Sequence, residues 1–273
     1  MSVTDSKGRA VDGLGSRDFE VLDEGVPQPI AYFEHESEPL DLLLLLDVSG
    51  SMHRSLMELA AAARSALRPL GPKDRVAVML FARESAVRQP FTSDFPRVEA
   101  EIADAVTAQD LGSGTAINAA VRAAAQYLAG DPAAGRRAVL IVTDNLSLNY
   151  RLPDEEVVRA LYAADATLDG ILIGKQRRPD PPKPGVQLNP DFTPSDIFKL
   201  AEQTGGEAVE ARQAAESFQL MIERIRSRYR LQYQAPAAAP GSFRRISVQL
   251  TPEARRRHPR ARIRARAGYY AVQ

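Results

Sequence analysis

Apolar and polar positions change period several times along the chain. "LDLLLLLDVS", from Leu40, is apolar at nearly every position, the pattern of a strand buried on both faces. "RVAVMLFA", "RRAVLIVTD" and "ATLDGILIG" read the same way. Between them lie helical stretches. "MHRSLMELAAAARSALRPL" stops before Gly71-Pro72, and "PRVEAEIADAV" has Pro96 in its first turn. "TAINAAVRAAAQYLAG" closes at Gly130, and "PDEEVVRALYAA" carries acids in its first turn, where the helix dipole favours them. "SDIFKLAEQTGG" starts on Ser195 as its cap and ends in glycines, and "AAESFQLMIERIRSRYR" is the last helix. "SAVRQPF" and "EAVEA" are shorter strands, and Pro90 assigns the first to a sheet edge. Strands separated by helical lengths predict an α/β fold: a doubly wound, mostly parallel sheet with helices on both faces, spanning residues 39–231.

The flanks alternate with a period of two instead. "FEVLDEG" and "PIAYFEH" before the α/β region, and "RLQYQA", "FRRISVQL" and "RARIRARAGYYAV" after it, read as β. In Arg260–Ala267 arginines and apolar residues alternate strictly, giving one charged and one packed face. Residues 1–38 and 232–273 are expected to form one small β attachment, with Tyr269 and Tyr270 packed at its end. "KQRRPDPPKPGVQLNPDFTPSD" is a long proline-rich loop. It follows a strand, so it is expected on the sheet's carboxyl side.

Charge sharpens this picture. The 273-residue chain has a formal net charge of zero and 44% apolar residues, enough for a sizeable core. Residues 1–38 hold nine acids against three bases, and residues 242–273 hold nine arginines against one acid. Opposite signs at the two ends predict that the termini meet. The arginine-rich tail is therefore read as a solvated strand face and not as a nucleic-acid contact. The absence of cysteine excludes disulfides, thiolate metal sites and cysteine nucleophiles. No apolar run reaches the ~20 residues of a spanning helix, since Asp41 interrupts the leucines. His35, His53 and His258 are scattered, with no ligand or triad spacing.

The candidate chemistry lies in "DVSGSM". Asp47, Ser49 and Ser51 recur at every second position after a strand, so their oxygens point to one side. Hard oxygen donors suit Mg²⁺, Mn²⁺ or Ca²⁺ and not Zn²⁺. Three oxygens do not fill an octahedron. Thr115, after the flexible "GSG", and Asp144, ending "VLIVTD", are placed to supply more. In parallel sheets ligands gather at the carboxyl ends of the strands, where these residues are predicted.

The set Asp47, Ser49, Ser51, Thr115 and Asp144 resembles the metal-ion-dependent adhesion site of von Willebrand factor type A domains. The resemblance covers roughly residues 39–230, with the motif elements in the right order and "LAEQTGG" matching a helix end common in that family. It implies a Rossmann-like fold and a divalent cation, Mg²⁺ first, with Ser49, Ser51 and Thr115 binding it directly and Asp47 and Asp144 acting through waters. An ion so held stays electrophilic and seeks an Asp or Glu carboxylate from a protein partner. The implied function is adhesion or protein–protein recognition, without catalysis. Asn145 departs from the glycine of many relatives and adds a side chain beside the site; Arg177, Arg178 and Lys183 of the proline-rich loop are candidate readers of an acidic partner. The flanks resemble the type A-related proteins of acidobacteria, which implies an extracytoplasmic home and an upstream export signal, though no signal peptide is visible here.

Two alternatives remain open from sequence. One is a Mg²⁺-dependent phosphoryl-transfer hydrolase with Asp47 as nucleophile, although such enzymes usually place a second acid where Ser49 stands. The other is a structural envelope component whose metal site is idle. The oligomeric state is not set by the sequence.

Overall fold

A computed structural model of the protein describes residues 1–35, 38–132, 134–145, 152–173 and 196–271. Strands β1 (Ser2–Thr4), β2 (Phe19–Asp23), β3 (Val26–Gln28) and β4 (Ile30–His35) come first. The α/β region runs β5 (Leu40–Asp47), α1 (His53–Leu67), β6 (Arg75–Phe81), β7 (Ser85–Thr92), α2 (Phe95–Asp104), α3 (Ile117–Gly130) and β8 (Arg136–Thr143). It continues through α4 (Asp154–Ala163), β9 (Ala166–Ile173), α5 (Ile197–Thr204), β10 (Ala208–Ala211) and α6 (Ala214–Arg226). Strand β11 (Tyr229–Tyr233), β12 (Phe243–Leu250), the short helix α7 (Pro252–Arg257), β13 (Arg262–Arg264) and β14 (Gly268–Tyr270) follow.

The central sheet has the order β10-β9-β8-β5-β6-β7. All its pairings are parallel except that of β7, the edge strand that carries Pro90. The leucine run takes the central place because it has no face to give to water, and every residue of β5 is buried. Its period of two divides the helices between the faces. Leu42, Leu44 and Leu46 pack with Leu56 and Leu59 of α1 and Phe218 and Ile222 of α6. Leu43 and Leu45 pack with Val121 of α3, Leu161 of α4 and Leu200 of α5.

Polar groups close the sheet's amino edge. Asp41, buried within the leucines, accepts two hydrogen bonds from Arg75 at 2.8 and 2.9 Å. "LAEQTGG" ends α5 with Gly205 in the left-handed region at φ 81°, and a Cβ on Gly206 would fall 1.8 Å from the Leu168 carbonyl oxygen. Only glycine lets this helix end lie against β9. The start of α5 corrects the sequence expectation. Its cap is Asp196, whose carboxylate accepts from the Lys199 amide at 3.2 Å; the helix begins one residue later than Ser195 would place it. Ser195 itself lies outside the described residues.

Both termini build the β attachment. β12 pairs antiparallel with β2, β2 with β3, β12 with β14, β1 with β13, and β11 with β4. The expected boundary at residue 231 falls inside β11. Opposite charges meet as anticipated: Arg244 pairs with Asp23 at 2.6 Å, Arg245 with Glu24 at 3.6 Å, and Arg257 with Asp18. The arginine-rich end is not one strand, however. Arg255, Arg256 and Arg257 belong to α7, which Pro252 opens and the Thr251 hydroxyl caps by accepting from the Ala254 amide at 3.4 Å. The rest divides into β13 and β14, which pair with different strands. Tyr269 donates to Asp23 at 2.8 Å, and the Tyr270 ring packs 5.2 Å from that of Phe243. Among the described residues no helix is long and apolar enough to cross a membrane.

Candidate metal centre

The chain leaves β5 at its carboxyl end and turns sharply. The Val48 amide donates to the Phe81 carbonyl at 2.9 Å, keeping the turn on the sheet. Asp47 Oδ1 then accepts from the Ser49 amide at 2.9 Å, and the Met52 amide donates to the Ser49 carbonyl at 2.9 Å. This tight polar turn presents the two serine hydroxyls side by side, 3.3 Å apart. Asp47 is fully buried beneath them, whereas Ser51 is exposed.

The second half of the site arrives from β8. Ser51 Oγ donates to Asp144 Oδ2 at 2.6 Å, a bond that spans 93 positions of sequence. A hydroxyl that gives its proton to a carboxylate keeps its lone pairs available to a cation. Thr115 is buried just before α3. Its loop is pinned to the β6–β7 hairpin by the Glu84 amide on the Leu111 carbonyl at 3.0 Å and by the Ala116 amide on the Ala82 carbonyl at 2.9 Å. Gly112 and Gly114 on the way take φ values of 77° and 101°, so the "GSG" flexibility read from sequence is used.

Thr143 is a member of the site that sequence reasoning missed. Its hydroxyl donates to Asp47 Oδ2 at 2.6 Å and accepts from the Asn145 amide at 3.1 Å. Strand register held the signal: Leu46 pairs with Val142, so the next residues, Asp47 and Thr143, face each other. Asn145 has φ 59°, and its Oδ1 is buried without a hydrogen-bond partner. Arg177, Arg178 and Lys183 lie outside the described residues.

Electrostatics favour a cation here. Burial pushes the Asp47 carboxyl above its ordinary value; hydrogen bonds from Thr143 and Ser49 oppose the push, and the charge of Asp144 adds to it. A positive ion beside the pair would offset both unfavourable terms. Among the described residues no group of three or more His, Cys, Asp or Glu is placed to hold a metal ion. The donor set is hydroxyls over two acids, which fits a hard divalent ion that keeps much of its charge.

Residues 42–146 match the family model described as von Willebrand factor type A domain. The matched stretch runs from β5 to β8 and includes Asp47, Ser49, Ser51, Thr115 and Asp144. Solved structures agree on the fold. A conserved hypothetical protein, BatB, from Bacteroides thetaiotaomicron is 18% identical, with TM-score 0.50, covering 68% of this chain and 97% of that one. A von Willebrand factor type A protein from Catenulispora acidiphila is 19% identical, with TM-score 0.51, covering 75% of this chain and 48% of that one. Proximal thread matrix protein 1 from the mussel byssus, solved with a zinc-occupied MIDAS motif, is 14% identical, with TM-score 0.52, covering 70% of this chain and 49% of that one. No curated protein matches the chain. The donor cluster thus lies, within the matched residues, at the kind of sheet edge from which parallel folds bind ligands.

Proposed function

We propose that this chain is a metal-ion-dependent binding module that recognises an acidic group on a protein partner. The 2.6 Å bond from Ser51 to Asp144 carries the reading, because it unites the two motif halves at one point of the sheet edge. Asp47 and Asp144 hold the serine turn from below, and Ser49, Ser51 and Thr115 are the residues that would hold a divalent ion, Mg²⁺ before Mn²⁺ or Ca²⁺. Once bound, such an ion supplies an electrophile for an Asp or Glu carboxylate. The residues' own work is orientation. Thr143 and the Ser49 amide fix both Asp47 oxygens, leaving hydroxyls and not carboxylates facing out.

The same bonds weigh against an enzyme. A nucleophilic Asp47 would have to be reached by a substrate, whereas it is fully buried with each oxygen held by a hydrogen bond. Five of the nine arginines of the terminus pair with acids of this chain, Arg244, Arg245, Arg257, Arg264 and Arg266, which weighs against nucleic acid as partner. An extracytoplasmic home is part of the proposal.

Calorimetry with Mg²⁺ and Mn²⁺ tests the site. Binding that raises the melting temperature is expected, and Asp47→Ala should abolish it. Ser51→Ala should weaken Mg²⁺ about tenfold, the value of one lost ion–oxygen contact. Failure of both ions to bind at millimolar concentration would sink the proposal. A pull-down from an envelope fraction, with Mg²⁺ against chelator, then tests the partner.

A further inference from the structure

A cavity lies at the end of the sheet opposite the hydroxyl cluster. About 390 Å³, open in part to solvent, lies between the amino ends of β5, β8 and β9 and strands β2, β11 and β12. That volume is within the range of small-molecule sites. Arg136, Arg137, Arg228, Arg230 and Arg266 line it together with Leu40, Ile225, Tyr229, Ile246 and Val248.

The arginines outnumber the acids that meet them. Arg228 is bound by buried Asp169 at 2.8 Å, Arg266 by Asp165 at 2.9 Å, and Arg230 by Glu38 and Asp165. Arg136 has only Glu38, at 3.9 Å, and otherwise donates to the carbonyls of Ile225, Arg226 and Arg228. Among the described residues Arg137 donates to the carbonyls of Ala164 and Asp131 and meets no acid. Among the described residues five guanidinium groups thus share three carboxylates. Arg228 is 96% buried, its relative exposure being 4%, and its Nε has no hydrogen-bond partner. Burial, with Arg226 and Arg228 nearby, lowers the Arg136 pKa to about 10. Buried cationic excess beside an unfilled donor is a costly arrangement that an anion relieves.

We infer that this cavity is a binding site for a small amphipathic carboxylate, its head among Arg136, Arg137 and Arg228 and its apolar body against Ile225, Tyr229 and Val248. The apolar lining residues argue against a bare inorganic anion, and the arginines argue against a neutral apolar molecule. Nothing in this site draws on the hydroxyl cluster at the other sheet edge.

Calorimetry on the full chain tests the inference, with octanoate, 1-octanol and inorganic phosphate as probes and EDTA present so that no metal contributes. Octanoate is expected to bind at one site, at least about tenfold more tightly than octanol or phosphate, the difference a charge-assisted hydrogen bond supplies. Arg137→Gln should weaken octanoate by a similar factor. Because Arg137 also ties two carbonyls, a second variant guards against misfolding. Ala235 is an exposed lining residue, and Ala235→Trp should obstruct the cavity and weaken octanoate without disturbing the core. Equal affinity for octanoate and octanol, equal affinity for octanoate and phosphate, or octanoate binding unchanged in folded Ala235→Trp would each overturn the assignment.

Discussion

At the residue scale, Asn145 shows what the site tolerates. It follows Asp144, takes a left-handed φ of 59°, and buries an oxygen without a hydrogen-bond partner among the described residues. Asparagine accepts that backbone region better than most residues, though less readily than glycine. That is a physical reason for glycine at this position in the many relatives the resemblance implies. Asn145→Gly removes both the backbone strain and the orphaned acceptor. It is expected to stabilise the protein by about 1 kcal/mol, read from the urea midpoint at unchanged m-value. A loss of stability would mean that the side chain holds the turn through contacts other than hydrogen bonds. The other oxygens were legible because residue type and spacing announce them: alternate serines after a strand, and an acid at another strand end. Thr143 was not, since its role depends on which residue faces Asp47 across the sheet, and register is a property of two strands.

At the element scale, the attachment is held by one buried acid. Asp23, at the end of β2, accepts from Arg244 of β12 at 2.8 Å, from Tyr233 of β11 at 2.7 Å and from Tyr269 of β14 at 2.8 Å. Burial pushes its carboxyl up, but the bonds from Arg244, Tyr233 and Tyr269 outweigh the push and hold it below the usual carboxylate range. The sign of the pH dependence follows. A carboxyl lowered on folding contributes stability above its unfolded pKa of ~3.9 and loses it as pH falls through the lower folded value. Asp23→Asn is therefore expected to lower the melting temperature by roughly 5 °C at pH 7, with the gap to wild type closing at acid pH. A gap independent of pH would remove the charge from the explanation. Sequence foretold that the termini meet, because the charge blocks at the two ends are of opposite sign. It did not foretell that Asp23 is the meeting point, as nothing local distinguishes it from Asp18 or Glu24. Helix α7 was hidden by a different cause: "TPEARRR" carries a cap and a first-turn proline, yet the alternation around it reads as strand.

At the scale of the whole molecule, a parallel sheet sets the hydroxyl cluster and the attachment apart. Every central strand but β7 starts at the attachment end and finishes at the cluster end. Helix α6 also runs the length of the sheet. The Ala214 amide meets Glu58 at 3.3 Å at its start, and Arg226 pairs with Asp74 at 3.0 Å at its end. Any influence of one end on the other must pass through this packed layer, which has no described break. Hydrogen exchange with and without Mg²⁺ distinguishes a rigid spacer from a coupled one. In a rigid spacer the amides of Ser49, Met52 and Asn145, each in the turn network, exchange about tenfold more slowly with the ion bound. Those of Ile246 to Leu250, paired with β2, stay unchanged. The rigid outcome is expected, because the bonds that fix Asp47 and Ser51 close upon one another at the carboxyl edge and none of them reaches α6. Slower exchange in β12 as well would show that the ion is felt through the whole sheet, and the two ends would then have to be treated as one linked system.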